Sequence, residues 1–273
     1  MNVFKQIVTR AMRPQVSKLD HLYQRHAGEE CYLFGDGVSL KWMDLREFAD
    51  RPSIIASMGI YHRDLRALKV PYCAITEPYW FWPIYPSRYN PAGKLPFVRH
   101  RLHEEYRKSI NANPDILFFV NVSNYPVIRA KNIQFVSRWY QPPFVRSNVF
   151  RDRSDAQDGT LKFQLSLAIF LGFTHAILIG HDYTHFPAQG RHFYELGEGR
   201  PAGVRYFSQD FLEYAKQYID LTVVTLGATS ETMKSMTYTE LTGKEPRFHE
   251  NTDIVDKNKL ESLTTWRGGY EIF

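Results

Sequence analysis

The chain is poor in cysteine: Cys31 and Cys73 are the only two in 273 residues. Both lie in apolar, strand-like runs. They read as small buried hydrophobes, and a disulfide framework or a cysteine zinc site is excluded. Long apolar runs are also missing. The longest, "LSLAIFLGFTHAILIG", is interrupted by Gly172, Thr174 and His175 and reads as a helix followed by a strand, not a membrane span. The N-terminus lacks the apolar core of a signal peptide, so a cytoplasmic protein is expected. Nor is the charge lopsided. With 34 Lys+Arg against 29 Asp+Glu, the formal charge of +5 lacks the dense basic face of a nucleic-acid binder. It suits an anionic substrate or an anionic membrane surface. No internal repeat and no low-complexity segment is present.

What the chain does have is a rhythm. "CYLFGDG" (31–37), "SIIASMG" (53–59), "YCAITEP" (72–78), "DILFFVNVS" (115–123), "HAILIGHD" (175–182) and "LTVVTLG" (221–227) are short apolar runs of the kind buried on both faces of a parallel sheet. Helical patterns lie between them. "LKFQLSLAIFLGF" (161–173) is apolar almost all round and should be well buried. "SQDFLEYAKQYI" (208–219) places Phe211, Leu212, Ala215, Tyr218 and Ile219 on one stripe, with Ser208 as N-cap. The alternation predicts an α/β, Rossmann-like domain with a mainly parallel sheet flanked by helices.

That domain is expected over residues 28–244. Residues 1–27 form a basic helix with Val3, Phe4, Ile7, Val8 and Met12 on one face. A helix packed on the domain is preferred over a peripheral membrane-surface helix. Two stretches break the rhythm as lid-like segments: the aromatic, proline-rich 79–100 and the polar 184–206. Residues 245–273 form a tail, polar and poorly packed from Glu245 up to "TTWRGGYEIF".

Ligands of open α/β sheets bind beyond the carboxyl ends of the strands, so the informative residues follow the apolar runs. Gly35, Asp36, Gly37 and Ser39 make a strand–glycine turn that brings backbone close to a phosphate or ribose. It is not the dinucleotide fingerprint, because Leu40 holds the third-glycine position, and no Gly-Lys-Ser/Thr follows to make a P-loop. A plain tight turn is the competing reading. Gly159 and Thr160 open the buried helix, whose first N–H groups attract anions. Asp158 or Thr160 could instead simply cap it. Gly180, Asp182 and Tyr183 end the fifth run, and His181, His185, Arg191, His192 and Tyr194 crowd behind it. A histidine titrates in the right range to take a proton from a hydroxyl at neutral pH. His192 and His185 are candidate bases, with Asp182 to orient one of them or to bind a ribose, whereas His181 is expected to bond only backbone. Tyr183, Arg191 and Tyr194 could donate to a phosphate. A zinc site from these histidines matches no standard ligand spacing. No Asp-x-Asp is present, so the usual magnesium–diphosphate motif is missing.

Taken in order, Gly35-Asp36-Gly37-Val38-Ser39-Leu40, the segment from Gly159-Thr160 to Leu171-Gly172-Phe173, Gly180-His181-Asp182-Tyr183 and "RHFYELGEG" followed by "SQDFLEYAKQY" resemble a known set. The set is the bacterial CMP-sialic-acid-dependent sialyltransferases of lipooligosaccharide, with two groups of wider relatives. These are the motility-associated flagellin glycosyltransferases and the 6-hydroxymethylpterin pyrophosphokinase-like proteins. The resemblance covers roughly residues 30–240. The chain departs from the pattern at several places. The family proline is Val38, the family asparagines fall near Met58 and at Glu77, the family tyrosine is Thr184, and Val204-Arg205-Tyr206 stand where the catalytic histidine is expected. His192 coincides with the His-Phe pair of the wider relatives and would have to take over as base.

The resemblance implies a glycosyltransferase moving an acidic sugar (a sialic acid, a related nonulosonate or Kdo) from a CMP donor to a cell-surface glycan or glycolipid. No metal and no cofactor are implied, because a single phosphate can be held by protein donors. Catalysis falls to His192, Asp182 and His185. Donor binding falls to Gly35, Asp36, Gly37, Ser39, Glu77, Gly159, Thr160, Gly180, Tyr183 and Tyr194, and acceptor binding to Trp80, Trp82 and Arg88. Trp80, Trp82 and Tyr85 would stack on sugar faces, although a hydrophobic plug over the sheet edge is a competing reading. Two further functions stay open: a diphosphokinase of the pterin type using ATP and Mg²⁺, and a non-catalytic glycan or nucleotide binder.

Overall fold

The computed structural model describes residues 14–15, 17–82, 84–85, 97–98, 100–136, 159–182, 192–198, 209–227, 229–230, 233–264 and 272. The six apolar runs become β1 (Glu30–Phe34), β2 (Pro52–Ala56), β3 (Lys69–Ile75), β6 (Leu117–Asn121), β8 (His175–Ile179) and β9 (Asp220–Thr225). Two short strands, β7 (Ile133–Val136) and β10 (Lys234–Thr237), close the two edges, so the sheet has eight strands in the order β10-β9-β8-β1-β2-β3-β6-β7. Every neighbouring pair is parallel. The architecture is Rossmann-like α/β, as the alternating pattern requires.

Both faces of the sheet are covered, which is why the central strands are apolar at successive positions. In β1, Cys31 and Leu33 enter one core while Tyr32 and Phe34 enter the other. Cys31 and Cys73 are free thiols with no exposure. The first face is packed by helix α2 (Thr160–Leu171) and helix α3 (Gln209–Ala215), together with Leu19 and Leu22 of a 3₁₀ turn (Ser17–Leu22). The second is packed by helix α1 (His100–Ala112), through Leu102, Tyr106 and Ile110, and by Leu260 and Leu263 of the C-terminal helix (Lys257–Thr264). Among the described residues no helix is long and apolar enough to cross a membrane.

Several expectations are corrected. Residues 246–264 are not loosely attached. Arg247 N–H bonds the Trp42 carbonyl, His249 N–H bonds the Lys41 carbonyl, and Ile254, Val255, Leu260 and Leu263 are buried in the second core. The polar residues of this stretch serve as helix caps and long-range ties, so low hydrophobicity did not mean low packing. The stripe on α3 stops early: the helix ends at Ala215, and Tyr218 is 45% exposed. Part of 79–100 is regular, since β4 (Ile84–Tyr85) and β5 (Phe97–Val98) pair antiparallel. Ser208 and the apolar face read in residues 3–12 lie outside the described residues.

The chain builds outward from β1 to β7, then returns across the sheet to place β8 on the other side of β1. Strand order therefore reverses between β1 and β8. In open α/β sheets the crevice beyond the carboxyl ends at such a point is the usual ligand site.

Candidate functional site

The two strands at the reversal point are locked together just past their ends. Gly35 N–H bonds the Ile179 carbonyl and Gly37 N–H bonds the Gly180 carbonyl, both at 2.8 Å. The backbones approach so closely that no side chain fits. A Cβ on Gly35 would lie 2.3 Å from Gly180 O, and one on Gly37 would lie 2.3 Å from Asp182 Oδ2. Asp182 is 1% exposed, and its Oδ2 accepts the Ser39 N–H at 2.9 Å. Gly35, Gly37, Ser39, Gly180 and Asp182 thus meet, but Asp182 is buried inside the turn and shapes it instead of presenting a carboxylate to solvent.

His192 is brought to the same place by backbone. It pairs with Gly37 in an antiparallel bridge, and Phe193 N–H bonds the Asp36 carbonyl at 3.1 Å. His192 Nδ1 lies 2.6 Å from Glu195 Oε1, which also accepts the His192 N–H at 3.0 Å. The imidazole stacks on Tyr194 with centroids 4.9 Å apart and planes 12° apart. A carboxylate on one ring nitrogen and an aromatic face behind it fix the ring's orientation, while 29% of the His192 side chain remains exposed. Tyr194 is 2% exposed and supplies that stacking face, not an open phenol at a ligand. Glu195 was not singled out in the sequence, although its place three residues after His192 in a tight segment was the available signal.

Asp36 is the group on which four loops converge. Its Oδ2 accepts the Met58 N–H at 3.4 Å from the loop after β2, and Glu77 after β3 and His192 both act on it electrostatically. Burial raises its pKa to about 7. The Glu77 carboxylate adds to that rise, while His192 and the Met58 and Gly59 N–H groups oppose it. Asp36 Oδ1 is shielded from solvent with no hydrogen-bond partner among the described residues. At neutral pH the carboxyl is therefore poised between its two protonation states. His181, by contrast, is buried and held neutral. Burial pushes its pKa down to about 3, against a hydrogen bond with the Leu33 backbone. A bond to backbone is what the sequence reading expects of it.

Gly159-Thr160 sits at the same edge. The buried Gln164, one turn into α2, donates from Nε2 to the carbonyls of Phe34 (2.9 Å) and Ile54 (3.0 Å). This pins the start of α2 over the carboxyl ends of β1 and β2. Its N-cap is Gly159, at φ +113°, with no side-chain cap among the described residues, so Thr160 does not cap the helix, and Asp158 lies outside the described residues. The twelve-residue helix thus begins at the crevice, where the N–H groups and dipole of a helix start favour an anion.

The aromatic segment divides. Trp80 (4% exposed) and Phe81 (0%) belong to the core, both edge-on to Tyr106. Trp80 is thus part of a plug and not open to a sugar face. Trp82 is half-buried and donates from Nε1 to Ser123 O at 3.0 Å, and the exposed Tyr79 meets it edge-to-face at 6.2 Å. Tyr85 is described in backbone only, and Arg88, Tyr183, His185 and Arg191 lie outside the described residues.

A second feature escaped sequence reading. Lys41 has no exposure, and its Nζ donates to Gly197 O and Glu250 Oε1, each at 2.7 Å. The Glu250 carboxylate also accepts the Gly197 N–H. The far end of the His192 segment is thereby tied to the C-terminal region. Among the described residues no group of three or more His, Cys, Asp or Glu side chains is arranged to hold a metal.

No family model and no curated protein sequence matches the chain. Among solved structures, the chain is similar to a sialyltransferase from Campylobacter jejuni in complex with a substrate analogue, cytidine-5'-monophosphate. The two share 11% identity with a TM-score of 0.36, over 88% of this chain and 98% of that one. A likeness at this level adds nothing to what the sheet and its reversal point already establish.

Proposed function

We propose that the chain is a glycosyltransferase that moves an acidic sugar from a CMP-activated donor to a hydroxyl of a cell-surface glycan. The observation that carries this reading is the meeting, at the β1/β8 reversal point, of the oriented His192–Glu195 pair with the Asp36 carboxyl and the start of α2. The donor phosphate is assigned to the N–H groups following Gly159 and to the Thr160 hydroxyl, where the helix dipole favours an anion. The turn Gly35–Ser39, shaped by Gly180 and Asp182, lets the nucleotide approach the backbone. Asp36 and Glu77 line the same end, and a protonated Asp36 can donate to a ribose or phosphate oxygen.

In the transfer, His192 takes the acceptor hydroxyl proton as the acceptor oxygen bonds the anomeric carbon. The bond from that carbon to the phosphate oxygen breaks, and CMP leaves with the bonding pair. Glu195 is a positioning residue that holds the imidazole. Trp82 and Tyr79 offer the aromatic surface for the acceptor, and Arg88, Tyr183 and His185 are assigned to acceptor, donor and base roles from the sequence alone.

The electrostatic pairing of Asp36 with Glu77 favours a second reading, an ATP-dependent diphosphokinase in which these carboxylates hold Mg²⁺. A thermal-shift panel of CMP, CTP, UDP and ATP, with Mg²⁺ or with EDTA, separates the two. Stabilisation by CMP or CTP in EDTA supports the transferase. Stabilisation by ATP only with Mg²⁺ selects the kinase, and loss of the CMP effect with no gain elsewhere sinks the donor assignment.

A further inference from the structure

A second cavity, of about 380 Å³, lies between the 3₁₀ turn Arg63–Ala67, the second half of α1 and the C-terminal helix Lys257–Thr264. That volume is within the range of about 300–1,000 Å³ that small-molecule sites occupy. It is separate from the β1/β8 crevice, because Arg63–Ala67 runs into the start of β3 and the end of α1 precedes the start of β6. Ile60 and Leu65 give it an apolar wall, and four cations, Arg63, Arg66, Lys108 and Lys259, face two carboxylates, Glu105 and Asp256.

The pairing inside the cavity is uneven. Arg63 is engaged by Asp256 at 3.4 Å and by the Thr252 and Asp253 carbonyls, and Lys108 is engaged by Glu105 at 2.6 Å. Both carboxylates are thereby taken. Arg66 makes no ion pair among the described residues, and Lys259 Nζ reaches Asp256 only at 4.0 Å and Ile60 O at 3.4 Å. Burial holds the Lys259 ammonium below its ordinary range; Asp256 and Glu105 oppose that shift, and Arg66 adds to it. His62, 3% exposed, also lines the cavity. Its Nδ1 accepts the Asp64 N–H, which leaves Nε2 as a shielded donor with no hydrogen-bond partner among the described residues.

We propose that this cavity binds a small phosphate monoester, its dianion held between Arg66 and Lys259 and its organic body against Ile60 and Leu65. Four cations against two carboxylates leave the lining a net excess of positive charge that suits a dianion, and a compact ammonium beside a guanidinium fork is a common phosphate-binding pair. The proposal is independent of the transferase reading. The shared chemistry could come from a free metabolite or from a phosphomonoester lipid headgroup, and the test separates them.

Titration calorimetry on the full chain would use inorganic phosphate and glycerol 3-phosphate, with saturating CMP present and absent. Phosphatidylcholine vesicles with and without phosphatidic acid form the second arm. The expected result is saturable binding, one per chain, unaffected by CMP and weakened about tenfold or more by Arg66→Met, since a lost charged hydrogen bond is of that size. Lys259→Met should weaken it likewise. Because Lys259 is half-buried, the exposed Arg66 variant decides the matter if Lys259→Met misfolds. Binding to phosphatidic acid vesicles alone, lost in Arg66→Met, supports the site with a lipid ligand. Absence of binding in both arms, or binding that Arg66→Met leaves unchanged, overturns it.

Discussion

His192 and Glu195 share a 2.6 Å contact between Nδ1 and Oε1, while the same carboxylate oxygen receives the His192 backbone N–H. One carboxylate thus fixes both the ring and its backbone. In a transferase of the proposed kind, His192→Ala should lower kcat by about 10²–10⁴-fold, the usual contribution of a general base. Glu195→Gln should lower kcat less and leave KM for the donor nearly unchanged, with partial recovery in Glu195→Asp. Nucleotide-induced stabilisation should persist in all three. CMP-release kinetics together with thermal shift check this, and a Glu195→Gln variant that loses nucleotide binding but keeps kcat would contradict the assigned role.

Asp36 supplies a test that needs no substrate. Its carboxyl titrates near pH 7 in the folded chain and near its ordinary value of 3.8 when unfolded. Between those values the folded state holds a proton that the unfolded state does not. Stability therefore falls as pH rises from about 4 to about 7, and the loss is complete above that window. Asp36→Asn cannot ionise and should flatten this slope. Relative to wild type, the variant should be more stable at pH 8 than at pH 5 in urea unfolding. Equal differences at the two pH values would mean that Asp36 is not strained by burial.

Much of the frame was legible because parallel strands buried on both faces leave short apolar runs, and all six such runs became strands. The edge strands were not legible. "IQFV" and "KSMT" are short, and polar residues interrupt them, because an edge is bonded on one side only. Helix α1, "HRLHEEYRKSINA", hid behind its charged face. At the crevice, the glycines and Asp182 could be named but not their division of labour, since only the fold reveals that Asp182 is spent on Ser39. Lys41 reads as a surface lysine until Glu250, 209 residues away, is placed beside it.

Gly37 measures how tightly the crevice is built. Gly37→Ala would place a Cβ 2.3 Å from Asp182 Oδ2 and 2.4 Å from Gly180 O, and the second is backbone that cannot swing aside. It should destabilise the chain by about 2–3 kcal/mol, at the upper end of ordinary overpacking. Gly197→Ala, at φ +74° with open space around the added carbon, should lose about 1 kcal/mol from backbone strain alone. Chemical denaturation ranks the two, and a reversed order would argue against the close β1/β8 junction.

The Lys41–Glu250 pair predicts an asymmetry. Lys41 has no side-chain exposure, whereas the Glu250 side chain is 33% exposed. Glu250→Gln takes the carboxylate from beside a fully buried ammonium, which keeps its bond to the Gly197 carbonyl, and should cost about 3 kcal/mol, the lower end of the range for breaking a buried pair. Lys41→Met leaves a carboxylate that water can reach and that still accepts the Gly197 and Asn251 N–H groups, so its cost should be about 2 kcal/mol. Although burial opposes it, the hydrogen bonds from Lys41, Asn251 and Gly197 hold the Glu250 carboxyl below its ordinary value of 4.5. The stabilisation is therefore present above that value and is lost as pH falls through the lower folded value. Urea unfolding at pH 7 and pH 3 should show the Glu250→Gln penalty shrinking in acid. A larger penalty for Lys41→Met, or a Glu250→Gln penalty that grows in acid, would mean that the His192 segment is not anchored through this pair.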